Sequence, residues 1–338
     1  MTQNKKSLYD FTFAALAEHL DSTYYARIVF EQIYEKRISC ISQISMKNKK
    51  ERLNNFDLDL PEVHSIIHSE DGRTRKYILR LHDGKLIESV WMNYHGRYTV
   101  CVSTQVGCAM GCVFCATGHM GFKRHLSVGE IVSQIMLLEK IEKHKIRNIV
   151  FMGMGEPLHN FDATMDAIDI FTDFRALAIA RRHITLSTVG VVPQIRKLIE
   201  HPLCVNLAVS LHGASDTKRN RLVPIGKRWD LDELMNVCRE YTERKKKRIF
   251  FEWTVIREEN DRSEDAHDLG KLLQGIRAHV NLIPLNPIKD YAGTPGEDSR
   301  IQSFRRILDS YQIPNTIRQK RGIDVAAGCG QLQTEKNV

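Results

Sequence analysis

From Ser127 onward the chain alternates short β-branched runs with amphipathic helical stretches, and this pattern limits the fold more than any other feature of its 338 residues. Strand-like runs occur at Asn148–Met152, His183–Ser187, Val205–Ser210, Ile249–Ile256 and Val280–Leu285. Between them lie helical segments such as the one opening on the capping box Ser127-x-x-Glu130, with Ile131, Ile135 and Leu138 on one stripe. Another runs from Asp230 to Arg244 with Leu231, Leu234, Cys238 and Tyr241 on one face. Repeated β-α units imply a parallel sheet curled into a full or partial barrel, whose active site forms where strands end and loops begin.

The residues before this region read differently. Residues 1 to about 70 suggest short amphipathic helices, the clearest from Tyr25 to Lys36 with Ile28, Val29, Gln32 and Ile33 at helical spacing. A hairpin follows, Lys76–Leu81 and Lys85–Met92, joined around Asp83-Gly84, a dipeptide favoured in two-residue turns. In the second strand Leu86, Glu88, Val90 and Met92 share a face, so Glu88 is either a carboxylate meeting a cation or polar cavity, or an edge residue facing water.

The strongest chemical signal is the loop Val106-Gly-Cys-Ala-Met-Gly-Cys-Val-Phe-Cys-Ala-Thr-Gly118. Cys108, Cys112 and Cys115 offer one thiolate fewer than a closed zinc site or most iron–sulfur clusters need, so a metal held there keeps one corner for another ligand. The loops after the predicted strands, Gly153-Met-Gly-Glu-Pro157, Thr188-Val-Gly190, Leu211-His-Gly213 and Asn286-Pro287, would share one rim. There glycines allow close backbone approach, and carbonyls with Glu156 suit an ammonium group. On residues alone His212 reads as a satisfied core histidine, Cys204 and Cys238 as small core residues, and Cys40 has no partner pattern.

The formal charge of +8 and pI near 9.0 favour a polyanionic partner. The basic runs Lys47–Lys50, Lys123–His125, Arg181–His183, Arg244–Arg248 and Arg318–Arg321 point the same way, although each also suits a solvated helix end or loop. No apolar stretch has the length of a membrane span and no signal segment follows Met1, so a cytoplasmic location is expected, where eight cysteines serve metal binding or catalysis rather than a disulfide framework.

Several ordered motifs then resemble the radical S-adenosylmethionine (radical SAM) RNA adenosine methyltransferases. They are Cys101-Val-Ser-Thr-Gln-Val-Gly-Cys108, Met152-Gly-Met-Gly-Glu-Pro157, Ser210-Leu-His212, Leu222-Val-Pro-Ile225, Leu282-Ile-Pro-Leu-Asn-Pro287, Thr316-Ile-Arg318 and Cys329-Gly-Gln-Leu332. The resemblance implies an α/β fold: a radical SAM partial (β/α) barrel over 94–324, a small N-terminal helical accessory domain with connecting β-hairpin over 1–92 that binds RNA, and a C-terminal segment over 325–338.

It implies a [4Fe-4S] cluster, one per chain, on Cys108, Cys112 and Cys115, and S-adenosylmethionine on Gly155, Glu156, Ser187, Ser210, Leu211, His212 and Asn286. Two S-adenosylmethionine molecules would be consumed per methylation. Cys329 would become S-methylcysteine, Cys101 would close a transient disulfide with it, and Glu88 would accept the ring proton, with Cys101 as the alternative acceptor. The implied substrate is adenosine in 23S rRNA and possibly tRNA, methylated at C2, with C8 as the alternative of the antibiotic-resistance relative. Asp324-Val-Ala-Ala-Gly-Cys329 lacks a second carboxylate common in the family before the acceptor cysteine, and the Cys-Ala-Thr-Gly ending of the cysteine loop is nearer the C8 relative, whereas Gly-Glu-Pro157 is nearer the C2 enzymes. An electron donor such as flavodoxin or ferredoxin and a monomeric state complete the expectation. From a different class, a non-catalytic RNA-binding protein with structural zinc, using Cys101 or Cys329 as fourth ligand, fits the same three-cysteine loop.

Overall fold

The computed structural model describes residues 6–319 and 322–334, so part of the basic run 318–321 lies outside it. Ten strands stand side by side in chain order: β1 (Glu62–His68), β2 (Thr74–Arg80), β3 (Leu86–Tyr94), β4 (Arg97–Cys101), β5 (Asn148–Phe151), β6 (Ile184–Thr188), β7 (Asn206–Ser210), β8 (Ile249–Val255), β9 (Ala278–Pro284) and β10 (Asn315–Ile317). From β4 to β10 every pairing is parallel, whereas β1 to β4 pair antiparallel. Each parallel step is made by a helical crossover, among them Val128–Glu142, Phe161–Thr172, Val192–Glu200, Leu231–Lys245 and Ser263–Leu272. Among the described residues β1 and β10 do not pair, so the sheet is an open, partial barrel.

The expected capping box closes the start of the first crossover helix: Glu130 N–H donates to Ser127 Oγ at 3.1 Å and Ser127 N–H to Glu130 Oε2 at 3.0 Å. Ile131, Ile135 and Leu138 are fully buried on the sheet side. The N-terminal unit packs on this same helix, where Asp10 Oδ1 accepts Gly129 N–H at 2.6 Å and Arg37 pairs with Glu139. Its helix Thr23–Phe30 continues as a wider π-type turn, Glu31–Glu35, within the span expected to be regular.

Two local expectations need correction. Residues 62–68 form a strand rather than helix, and a register shift between Val63 and Ser65 breaks the two-residue alternation that would have marked it. The hairpin between β2 and β3 turns through three residues, His82, Asp83 and Gly84, closed by Leu81 N–H to Lys85 O at 2.8 Å. Gly84 at φ +78° is the left-handed residue that such a loop requires. Because β1, β2 and β3 belong to the same sheet as the parallel strands, hydrogen bonding runs unbroken from the hairpin into the barrel.

The three-cysteine loop leaves and returns through a short ribbon, Gln105–Gly107 paired with Phe122–His125. Gly107, at φ +73°, sits where a Cβ would lie 1.8 Å from Gly121 O. Gly107→Ala is therefore predicted to destabilise the protein by about 1–3 kcal/mol or more. Gly72→Ala, at a similar φ with open space around it, should cost no more than about 1–3 kcal/mol of backbone strain. Urea unfolding midpoints for both variants check the order, and equal midpoints would contradict the crowding.

Candidate active site

At the carboxyl ends of the parallel strands, a cleft opens between the loops, with about 890 Å3 of space when the open solvent at its mouth is included. Cys108, Cys112 and Cys115 form one wall. Gly155, Glu156 and Ser187 line a second, and Ser210, His212 and Asn286 a third, with Cys329 at the rim. Leu211, Cys101 and Glu88 do not line the cleft. Leu211 contributes backbone, its N–H donating to Glu252 O at 3.1 Å, while Cys101 and Glu88 lie on the sheet beside it.

The glycines are needed for close approach. A Cβ on Gly155 would fall 2.6 Å from Gln105 Cβ, and one on Gly153 would fall 2.5 Å from Val102 O. Glu156 is buried, and its carboxylate accepts Leu158 N–H at 3.0 Å and Val189 N–H at 2.9 Å, tying the β5 and β6 loops together. Burial pushes its pKa up to about 7 despite those bonds. His212 adopts φ +57°, and its Nδ1 accepts Thr254 N–H at 2.9 Å, which puts the ring proton on Nε2. Burial, with a smaller push from Arg219, drives its pKa down to about 3, so the ring is neutral at the cleft wall. The histidine is thus satisfied on one nitrogen, as a core residue would be, and still lines the cleft.

The C-terminal segment is clamped across this cleft from several directions. Ala116 N–H, at the end of the cysteine loop, donates to Gly330 O at 2.7 Å, and Asn286 Nδ2 donates to Cys329 O at 3.0 Å. Gln331 Nε2 reaches Pro287 O at 2.9 Å, and Thr117 Oγ1 reaches Leu332 O at 2.5 Å. From the sheet, Lys76 Nζ donates to Ala326 O at 3.3 Å and Glu88 Oε2 accepts Gln333 N–H at 3.1 Å.

Glu88 is therefore not an edge residue facing water. It is fully buried, with Lys76 Nζ 3.4 Å from its Oε1. Lys76 stands opposite Val90, and Val90 opposite Cys101, so these three and Glu88 share one face of the sheet. Burial raises the Glu88 pKa to about 7, and Lys76 offsets part of that rise.

All eight cysteines are free thiols, so the Cys101–Cys329 disulfide implied by resemblance is absent from this structure. Burial pushes the Cys101 thiol up to about 12, with Cys329 adding to the rise and Arg318 opposing it. Although Cys329 as a residue is exposed at the rim, burial of its sulfur raises that thiol too, with Arg318 opposing the rise.

The superfamily profile described as radical SAM matches residues 102–270, from just after Cys101 through the β8 crossover. "Dual-specificity RNA methyltransferase RlmN 1" of Myxococcus xanthus (strain DK1622) is 49% identical over 337 residues, covering 97% of this chain and 94% of that protein. The chain belongs to the radical SAM RNA methyltransferase family. A probable dual-specificity RNA methyltransferase RlmN of Clostridium botulinum (strain Eklund 17B / Type B) is 41% identical over 97% of this chain and 96% of its own length. The crystal structure of a radical SAM methyltransferase from Sphaerobacter thermophilus superposes with a TM-score of 0.92 at 40% identity, covering 98% of this chain and all of that one.

Membership makes this chain an RNA methyltransferase and implies a [4Fe-4S] cluster and S-adenosylmethionine. The donor set suits both. Three thiols from one loop face one cleft, the donor set that a cluster with one open corner takes. Among the described residues no three His, Cys, Asp or Glu side chains gather around a single-ion position; the non-catalytic zinc alternative gives way to membership of an enzymatic family instead. Among the described residues, too, no helix is long and apolar enough to cross a membrane.

Other residues of the site escaped the sequence reading. Gln105 accepts Glu156 N–H at 2.8 Å and reaches both His125 and His159 at 3.0 Å. Glu252 lines the cleft from the middle of β8, its Oε1 held by Asn281 at 2.9 Å and Arg318 at 3.0 Å and its buried Oε2 without a partner. A carboxylate inside Ile249-Phe-Phe-Glu-Trp-Thr-Val255 is the same anomaly that singles out Glu88, and could have found it.

Between the ordinary carboxyl pKa of 4.5 and the raised value of about 7, folded Glu88 keeps a proton that the unfolded chain has released. The associated stability is present below pH 4.5 and lost as pH rises to about 7. Relative to wild type, Glu88→Gln is predicted to gain about 1.4 kcal/mol per pH unit across that window. Denaturant titrations at a series of pH values check this, and a difference that stays constant would contradict a dehydrated carboxyl.

Proposed function

We propose that this enzyme methylates C2 of adenosine in 23S rRNA and tRNA through an S-methylcysteine on Cys329, with one [4Fe-4S] cluster per chain and two S-adenosylmethionine molecules per methyl transferred. The observation that carries this reading is the position of Cys329, held at the rim of the cleft that Cys108, Cys112 and Cys115 line. Its relatives' names, dual-specificity RNA methyltransferases, support the RNA classes.

Cys108, Cys112 and Cys115 would hold the cluster, and Gly155, Glu156, Ser187, Ser210, Leu211, His212 and Asn286 the S-adenosylmethionine. When bound, these groups would supply the methyl and the 5′-deoxyadenosyl radical that activates it. Cys329 Sγ would form its bond to the methyl carbon as the methyl–sulfonium bond of one S-adenosylmethionine breaks, with S-adenosylhomocysteine and the thiol proton leaving, and Asn286 and Ala116 keep that sulfur at the cleft through the Cys329 and Gly330 carbonyls. With one methyl hydrogen removed as 5′-deoxyadenosine, the carbon would bond to the adenine ring, and Glu88, poised near neutrality, would take the ring proton while the unpaired electron returns to the cluster.

Release falls to Cys101. Its sulfur attacks Cys329 Sγ, the S–S bond forms as the carbon–sulfur bond breaks, and the freed carbon takes up a proton to become the product methyl. A flavodoxin or ferredoxin supplies electrons. The N-terminal unit and the net charge of +8 favour folded RNA through phosphate contacts. We place the protein in the cytoplasm as a monomer.

Mass spectrometry of nucleosides from rRNA and tRNA incubated anaerobically with the reconstituted enzyme tests the reading. The expected product is 2-methyladenosine in both RNAs, abolished by Cys329→Ala. Appearance of 8-methyladenosine would overturn the C2 assignment, and full product from Cys329→Ala would overturn the methyl-carrier role.

A further inference from the structure

Arg219 is 1% exposed, yet all its hydrogen-bond partners are backbone carbonyls. Nη1 donates to Leu211 O at 2.8 Å and Ser210 O at 3.2 Å, Nη2 donates to Val189 O, and Nε is buried with no partner. The other buried cation of the site, Lys76, has a carboxylate beside it. Dehydrating an ion costs several kcal/mol, and neutral carbonyls compensate only part of it.

The surroundings hold this side chain in place. A Cβ on Gly190 would lie 3.3 Å from Nη2, one on Gly226 3.5 Å from Nε, and one on Gly213 2.6 Å from the Arg219 backbone nitrogen. The helix Asp216–Leu222 that carries it ends against the cysteine loop, where Val113 N–H donates to Leu222 O at 3.1 Å. The buried groups that would attract the guanidinium once ionised are Cys112 first, then Cys238 and Asp216.

We infer that Arg219 is the buried counter-cation of the cluster, a positioning residue whose fixed charge favours the loaded thiolate loop and raises the reduction potential of the iron. This role rests on the cluster assignment proposed above. A four-iron core with two positive charges and three thiolates carries one net negative charge, which one guanidinium balances. Adding the reducing electron makes the site more negative, so a fixed positive charge eases reduction. The same guanidinium ties Val189, Ser210 and Leu211, which couples the cysteine loop to the loops of the cleft.

The test compares anaerobically reconstituted wild type, Arg219→Lys and Arg219→Gln by iron content and by redox titration followed with electron paramagnetic resonance. Arg219→Lys, which keeps the charge, should hold the wild-type iron content and midpoint. Arg219→Gln, which loses the charge, should shift the midpoint to more negative potential and retain less iron. A Gln variant with the wild-type midpoint, or a folded Lys variant shifted as far as Gln, would overturn the inference. If Arg219→Gln does not fold, the Lys variant decides alone: a changed midpoint or lost iron contradicts a role for the charge. Wild-type protein that takes up no iron would instead defeat the cluster reading itself.

Discussion

The site depends on a hydrogen-bonded clasp that holds the C-terminal segment over the open end of the barrel. Cys329 is separated from Cys115 by more than two hundred residues of chain, and no local propensity brings them together. Four anchors do so: the end of the cysteine loop through Ala116 and Thr117, the β9 loop through Asn286 and Pro287, Lys76 on β2, and Glu88 on β3. Their donors meet main-chain carbonyls, except that Pro287 O accepts the Gln331 side chain and Glu88 accepts a main-chain amide. The clasp therefore fixes the path of the backbone and leaves the Cys329 sulfur free. The antiparallel extension β1 to β3 has a clear purpose in this light, because it carries the two charged side chains that grip the segment from the sheet.

Burial sets the electrostatics around that clasp. Glu88 and Glu156 are each pushed to about 7, and His212 is pushed to about 3, all chiefly by loss of water. A carboxyl near neutrality can exchange a proton in either direction, whereas a neutral imidazole held in one tautomer donates without competing for charge. Arg219 is the complementary case, a dehydrated cation whose side chain has only main-chain carbonyls as partners. The balance of charge in the cleft is thus set by groups that are costly to bury alone and suit a pocket receiving a charged cofactor.

Much of this was legible in the residues, for identifiable reasons. The alternation from Ser127 to Leu285 marked the parallel strands because each is apolar and bounded by turn residues, and the capping box marked the first crossover helix. Glu88 stood out as a carboxylate in an apolar row. The strand Glu62–His68 was hidden by its bulge, and Arg97–Cys101 and Asn315–Ile317 are too short to show a period. Arg219 was invisible for a different reason: in Asp216–Leu222 it reads as one of several basic residues on a short helix, and its burial depends on three glycines scattered from 190 to 226. The membership of β1 to β3 in the main sheet is likewise a matter of pairing across the chain, which spacing does not encode.

The central claim is that Cys329 carries the methyl carbon before RNA receives it. The most direct measurement is peptide mass spectrometry of the reconstituted enzyme after anaerobic incubation with methyl-labelled S-adenosylmethionine and reductant in the absence of RNA. The predicted result is one labelled methyl on Cys329, with none on Cys101 or the loop cysteines. An unlabelled Cys329 in enzyme that goes on to deliver the labelled methyl to RNA would contradict it.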